Sequence, residues 1–300
     1  MPDALPIART TRLGPFEVDR LGYGCWRFAG TPLADARAKV GAAIDAGMTL
    51  LDTAPIYGFG ETAFGEAEER LGDLFAAEKG LRERVVLVTK GGIHPPAPYD
   101  SRKETLIASA EASLERLRTD VIDLFLIHRP DLLAAHEEVA GALDHLVESG
   151  KVRAVGVSNY TVAQARALQA HLSIPLAATQ PEFSALHTAP LHDGVLDHAQ
   201  EAAMAVMAWS PLAGGRLARG GDDARTARVI EVLDRIAEEQ GAQRDHVALA
   251  WVLAHPARPI ALVGSQSPER IRASARAFDV RLTRRDWYEI LEASLGEAMP

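Results

Sequence analysis

The sequence predicts a (β/α)8 barrel, and three observations carry that prediction. Eight short apolar runs recur between residues 20 and 278, amphipathic stretches separate them, and no linker rich in Pro, Gly or Ser breaks the rhythm. Runs of this length, rich in Val, Ile and Leu, suit strands buried on both faces, as in a parallel sheet. Barrels of this size commonly form one unit, so residues 1–300 are read as a single domain. The rival fold, a doubly wound open sheet, needs a strand leading into Gly-x-Gly-x-x-Gly and a helix. "GYGCWR" at 22–27 holds only the first two glycines.

The elements follow in order. "TRLGPFEVDRLG" at 11–22 has Gly14-Pro15 between two short alternating runs and reads as a β-hairpin plugging the barrel bottom. The strands are then "LGYG" at 21–24, "MTLLD" at 48–52, "VVLVTK" at 85–90 and "VIDLFLIH" at 121–128. "VRAVGVSN" at 152–159, "PLAATQ" at 175–180, "VMAWS" at 206–210 and "IALVGS" at 260–265 complete the eight. Between them, Thr31-Pro32 offers an N-cap and a first-turn Pro to a helix ending near Ala46-Gly47. Ser101 with Glu104, and Thr161 with Gln164, have capping-box spacing. Leu106, Ala110, Ser113, Leu114 and Leu117 share one helical face. "VIEVLDRIAEEQG" and "HVALAWVLAH" add two helical patterns between the seventh and eighth strands.

Composition narrows the function classes. A net charge of −9 and a pI near 5.6 argue against nucleic acid or anionic membrane as partner. The opening "MPDALPIART" lacks a signal-peptide pattern, and no apolar run approaches the roughly 18 residues of a membrane span. Cys25 is the only cysteine, which fits a reducing compartment, and a cytoplasmic protein is expected.

Polar residues close the apolar runs at their C-terminal ends: Asp52, Lys90, His128, Ser158-Asn159, Gln180, Ser210 and Gly264-Ser265. In a barrel these ends open onto one face, where barrel enzymes keep their active sites. Among them, a phenol with a reference pKa of about 10 donates a proton well only if its phenolate is stabilised. An ammonium supplies that stabilisation, and a carboxylate keeps the ammonium charged. Tyr57, Lys90 and Asp52 have these roles available, and His128 can hydrogen-bond a substrate oxygen. Each alone reads as an ion pair, a loop residue or packing; their coincidence on three consecutive strands and the loop after one of them points to chemistry. The set lacks a strong nucleophile and suits proton exchange with a carbonyl or alcohol oxygen, with hydride from a nicotinamide cofactor.

These residues closely resemble the aldo-keto reductase superfamily. "LLDTAPIYG" at 50–58 with "EERLG" at 68–72, "VTK" at 88–90, "LFLIHRPD" at 124–131, "GKVRAVGVSN" at 150–159 and "AWSPLAGG" at 208–215 look like family motifs in order. The resemblance spans roughly residues 10 to 295, and "HRPD", "SPLAGGRL" and "LTRRDWYEILEASLG" look like a bacterial branch of oxidoreductases. It implies a catalytic tetrad of Asp52, Tyr57, Lys90 and His128, with Tyr57 as general acid, and NADPH/NADP+ held across the barrel top. By the same resemblance Ser158, Asn159 and Gln180 hold the carboxamide and Trp209 stacks on the nicotinamide. Gly24, Cys25 and Trp26 lie near the nicotinamide end. Ser210, Pro211, Leu212, Ala213 and Gly214 line the pyrophosphate, in a loop whose glycines at 214, 215, 220 and 221 allow it to close as a lid.

"VGSQSPERIRASARA" departs in part from the family. Gly264, Ser265, Gln266 and Ser267 precede a helix opening at Pro268, and Arg270 is placed to clamp a 2′-phosphate. The family's Glu-Asn pair for the adenine is replaced by Ala273-Ser274, and a lysine some members place near the phosphate is absent. Arg270 and Arg272 favour NADPH, with NADH as the alternative.

Trp26, Phe28, Ile56 and Arg129, with Tyr57 and His128, are the expected substrate-pocket walls, and "HPPAPY" at 94–99 the loop over them. No metal site is expected: the first strand ends "GCWRF" where metal-dependent hydrolases carry His-x-His, and His187, His192 and His198 lack ligand spacing. Cys25 has both a rim-thiol and a packing reading, and Trp251 reads as core. The sequence thus predicts a monomeric or weakly associating reductase of aldehydes or ketones. An NAD-dependent sugar or polyol dehydrogenase and a cofactor-sensing protein on the same scaffold are the alternatives.

Overall fold

The structure is a computed structural model and describes residues 3–300. The chain begins with strands β1 (Thr10–Leu13) and β2 (Phe16–Asp19), paired antiparallel. Their turn is pressed against the barrel floor. Gly14 has φ +52, and a Cβ there would lie 3.1 Å from the Cβ of Ala177 and 3.5 Å from that of Ala154.

Eight parallel strands close the barrel in chain order: β3 (Leu21–Gly24), β4 (Leu50–Asp52), β5 (Val86–Gly91), β6 (Ile122–Ile127), β7 (Val152–Ser158), β8 (Leu176–Gln180), β9 (Ala205–Ala208) and β10 (Ile260–Val263). All eight apolar runs of the sequence are strands. The seventh stops at Ala208, short of Trp209 and Ser210, because the chain turns there: Ser210 adopts φ +54.

Helices α1 (Leu33–Asp45), α2 (Glu66–Ala77), α3 (Lys103–Leu117), α4 (His136–Glu148) and α5 (Val162–Gln169) follow β3 to β7 in turn. The shorter α6 (Val195–Glu201) follows β8. Between β9 and β10 the chain inserts three helices, α7 (Arg216–Arg219), α8 (Ala224–Gln240) and α9 (Arg244–Leu253). It ends with α10 (Pro268–Ala273) and α11 (Arg284–Leu295).

Two apolar layers hold the assembly together. Inside the barrel, Leu13 and Val18 of the hairpin pack with Leu50, Val88, Leu124 and Met207 of the strands. The larger outer layer lies between strands and helices. Glu68 of α2, fully buried, accepts hydrogen bonds from Thr89 of β5 and from Arg116 of α3, so two helices are tied to the strand carrying Lys90. Trp251 is core: it stacks on Trp287 at 4.9 Å, and each indole N–H donates to the other residue's carbonyl at 3.0 Å.

The Thr161–Gln164 capping box forms. Two other cap expectations fail for identifiable reasons. Pro32 is itself the N-cap of α1, and the Thr31 hydroxyl donates to the Arg27 carbonyl instead. Ser101 is fully buried one residue before Arg102, the actual N-cap of α3, and its N–H, which Glu104 would take in a capping box, donates to Asp131 Oδ2 at 2.8 Å.

Candidate active site

The C-terminal ends of the strands bring the sequence-predicted tetrad into contact. Lys90, fully buried on β5, donates from Nζ to Asp52 Oδ1 at 2.6 Å, to the Thr53 carbonyl at 3.0 Å and to the Tyr57 hydroxyl at 2.8 Å. Its three protons therefore have three acceptors. The other carboxylate oxygen of Asp52 accepts from Gln180 Nε2 at 2.8 Å, so the ion pair is closed on both sides. Tyr57 reaches the cluster from the loop after β4, and His128, one residue beyond β6, meets its ring edge-on at 5.9 Å.

Burial sets the charge states. It pushes the Tyr57 phenol up to about 12; Lys90 pulls it back and Asp52 adds to the rise. Desolvation pulls the Lys90 ammonium down, but the charges and hydrogen bonds of Asp52 and Tyr57 more than offset it, and the net direction is up. His128 is held well below its usual value by desolvation, then by Lys90 and Arg129, so its imidazole is neutral at physiological pH. The resting cluster is a neutral phenol, an ammonium–carboxylate pair and a neutral imidazole.

Beside this cluster lies a hydrogen-bonded group built from β7, β8 and the end of β9. Ser158 Oγ donates to the Gln180 carbonyl at 3.0 Å, and Asn159 Nδ2 donates to Ser158 Oγ at 2.8 Å and to the His128 carbonyl at 3.2 Å. Asn159 Oδ1 accepts from Trp209 Nε1 at 3.0 Å, which fixes the indole plane. Asn159 manages this from a left-handed backbone, φ +59, a conformation Asn tolerates better than most residues.

A cavity of about 750 Å³ opens over both groups. Gly24, Trp26, Asp52, Tyr57, His128 and Arg129 line it near the tetrad, and Ser158, Asn159, Gln180 and Trp209 along β7 to β9. Ser210, Pro211, Leu212 and Gly214 form one flank; Gly264, Ser265, Gln266, Arg270 and Ser274 form another.

Five expected residues stand elsewhere. Cys25 and Phe28 have no exposure and belong to the outer core, because the chain after β3 turns them inward while Trp26 between them is 54% exposed. Burial, with Asp52 nearby, pushes the Cys25 thiol pKa far up, so it packs rather than reacts. Ala213 is buried beneath its own loop, and Ile56 stands on the tyrosine loop outside the cavity wall. Arg272 is also outside it, in an ion pair with Asp45 of α1 at 3.1 Å.

The cavity adds Arg27, Ala218, Arg219, Asp245 and Leu249, which the sequence did not single out, and takes in Gly215 and Ser267 from the two loops that it did. Arg27 had a signal available, directly following Trp26, whose ring it covers at 5.0 Å. Asp245 and Leu249 had none: Leu249 lies within the apolar helical pattern "HVALAWVLAH", and Asp245 directly precedes it. Four arginines thus line the cavity, Arg27, Arg129, Arg219 and Arg270, none in an ion pair among the described residues, against Asp245 as the one carboxylate besides Asp52. In a protein of net charge −9, that concentrates positive potential at this mouth. Among the described residues, no group of three His, Cys, Asp or Glu side chains gathers as a metal site, and no helix is long and apolar enough to cross a membrane.

The profile of the Aldo/keto reductase family matches residues 20–294. A 6-dehydroglucose reductase from Novosphingobium aromaticivorans is 50% identical over 286 residues, covering 94% of each chain. A 6-dehydroglucose reductase from Agrobacterium fabrum is 41% identical over 94% of this chain and 96% of its own. The solved structure of a glycerol dehydrogenase from Gluconobacter oxydans superposes with a TM-score of 0.84 at 27% identity, covering 97% of this chain and 98% of that one. The barrel, its hairpin floor and the residues at its strand ends therefore belong to a member of the aldo/keto reductase family of oxidoreductases.

Proposed function

We propose that this protein is an NADPH-dependent reductase of an aldehyde-bearing sugar, with Tyr57 as general acid. The observation that carries the reading is Lys90 Nζ, buried and hydrogen-bonded at once to Asp52 and to the Tyr57 hydroxyl beneath an arginine-lined cavity. The cavity suits a nicotinamide dinucleotide by its donor set. Ser158, Asn159 and Gln180 are the amide and hydroxyl groups a carboxamide needs, Trp209 offers a fixed aromatic face, and Arg270 and Arg219 offer uncompensated cations for phosphates. Bound reduced nicotinamide would supply the hydride.

This chain's residues do the rest. His128, neutral, donates a hydrogen bond to the substrate oxygen and aims the carbonyl carbon at the ring. As negative charge develops on that oxygen, Tyr57 gives it a proton. A phenol at about 12 protonates an alkoxide, whose conjugate acid stands near that of water at roughly 16, with a clear driving force. Lys90 stabilises the phenolate left behind, and Asp52 with Gln180 holds Lys90 in place. Every group comes from one chain, so a monomer suffices, and residues 1–300 act as one catalytic unit in a reducing cytoplasm.

The sugar is proposed from the two relatives named 6-dehydroglucose reductases. A hexose aldehyde presents hydroxyls that Arg129, His128 and the rim of Trp26 can meet. The same residues run the reverse reaction, and the glycerol dehydrogenase neighbour favours polyol oxidation as the second reading. A screen of NADPH and NADH oxidation against 6-dehydroglucose, simple aldehydes and diketones, with NADP+ reduction against polyols, separates the readings. Preferred turnover of the sugar aldehyde with NADPH is expected; turnover confined to polyols overturns the assignment.

A further inference from the structure

Lys39 is a cation that neither the fold nor the tetrad accounts for. It lies in the middle of α1, only 9% exposed, with no carboxylate within ion-pair distance among the described residues. The groups it touches are neutral. Nζ donates to Gln266 Oε1 at 2.9 Å and lies 3.5 Å from Thr31 Oγ1 and 5.9 Å from the centre of the Phe28 ring. Other buried cations here are better matched: Lys90 has Asp52, and Arg20 donates to the carbonyls of Ala8, Leu253 and Pro259. Desolvation pushes the Lys39 ammonium down, and the exposed Asp35 one turn back pushes it up. An ammonium withdrawn from water for one strong neutral acceptor costs stability.

Gln266 indicates what the cost serves. An ammonium only donates, so Lys39 fixes Oε1 on its own side and turns Nε2 toward the carbonyls of Gly264 and Ser265, each at 3.3 Å. Gln266 is itself a cavity wall, with Gly264, Ser265, Ser267 and Arg270 around it. Lys39 therefore stands one amide behind the wall on which Arg270 also lies. A charge largely withdrawn from water, with no acid in contact, is preorganised for an anion that arrives from outside.

On the dinucleotide reading above, we propose that Lys39 is a positioning residue for the cofactor. Its ammonium orients Gln266 and, through it, adds to the positive potential that meets the cofactor phosphate nearest the 264–267 loop. The chemistry recognised is a phosphate, and it has two sources on such a cofactor, the 2′-phosphate and the pyrophosphate.

The test compares Lys39→Met, of similar length and uncharged, with Lys39→Arg. Dissociation constants for NADPH and NADH are measured by tryptophan quenching at low and raised salt, and melting temperatures without cofactor. Lys39→Met is expected to weaken NADPH about tenfold, with KM for the cofactor rising in step and a shallower salt dependence, while Lys39→Arg stays within about threefold of the parent. The cofactor-free Met variant is expected to melt at or above the parent, since the unpaired charge is gone. Loss confined to NADPH assigns the effect to the 2′-phosphate; equal loss for NADH assigns it to the pyrophosphate. An unchanged dissociation constant for Lys39→Met overturns the proposal, as does a loss that Lys39→Arg shares with an equal fall in melting temperature. If the unaltered protein binds neither dinucleotide, the dinucleotide reading fails and this inference with it.

Discussion

The two ends of the barrel are made from the same eight strands and follow opposite rules. At the floor, Leu13 and Val18 of the hairpin pack in one apolar cluster with Leu50 and Met207, and a side chain at Gly14 would crowd Ala177. At the mouth, β4, β5, β7 and β8 exchange their apolar residues for Asp52, Lys90, Ser158 and Gln180 at or next to their last positions. The floor gains stability from burial that needs no direction, about 1.5–3 kcal/mol for a fully buried aliphatic side chain. The mouth spends part of that gain on withdrawing charges from water, and what it obtains is a proton donor held between an ammonium and an imidazole. Stability and chemistry are thus segregated along the strand axis, and substitutions at the two ends should separate cleanly.

The largest effect is expected at the mouth. Tyr57→Phe removes the proposed acid and should lower kcat by about 10²- to 10⁴-fold, with melting temperature and NADPH affinity close to the parent. Steady-state kinetics beside thermal melts check this, and a variant retaining parental turnover would remove Tyr57 from the chemistry. Next comes the floor: Leu13→Ala, at a fully buried position, should cost about 2–5 kcal/mol of stability. Its kcat/KM measured well below the melting transition should remain parental. A large kinetic defect there would mean that floor and mouth are coupled.

The smallest effect sharpens the electrostatic side of the contrast. The folded-state pKa of His128 lies well below 6.5 because of desolvation and the neighbouring Lys90 and Arg129. Below about pH 6.5 the unfolded chain therefore binds a proton that the folded chain refuses, and stability falls with falling pH by at most about 1.4 kcal/mol per unit from this group. His128→Gln should flatten that acid limb relative to the parent in denaturant titrations across pH 5 to 7. An unchanged slope would show that His128 is not desolvated as the fold requires.

Much of this contrast was legible in the sequence, for a physical reason. A strand has a fixed period, so an apolar run that ends on a polar residue announces both the wall and the rim, and Asp52, Lys90, His128 and Gln180 could be named from that alone. What was not legible lies where the chain leaves the period. After β3, Cys25 and Phe28 turn inward and Trp26 outward, an outcome set by tertiary packing of the loop. Asp245 and Leu249 belong to α9, which walls the cavity only because three helices are inserted between β9 and β10. Ser101 and Glu104 have capping-box spacing, yet an aspartate 30 residues away takes the Ser101 amide that Glu104 would have accepted from. Lys39 carries no signal in the sequence, because nothing beside it in the chain shows that its partner is Gln266.

The stacked pair Trp251–Trp287 has a practical consequence for observing this molecule. Of four tryptophans, these two stack on each other, Trp251 in the core and Trp287 half-buried over it, while Trp26 and Trp209 line the cavity. The chain therefore carries two separable optical reporters. Ligand arrival should dim the cavity pair and leave the stacked pair's near-ultraviolet dichroism intact, whereas release of α11 should abolish that dichroism first. Replacing Trp26 and Trp209 by Phe would leave a protein whose remaining fluorescence reports on folding alone.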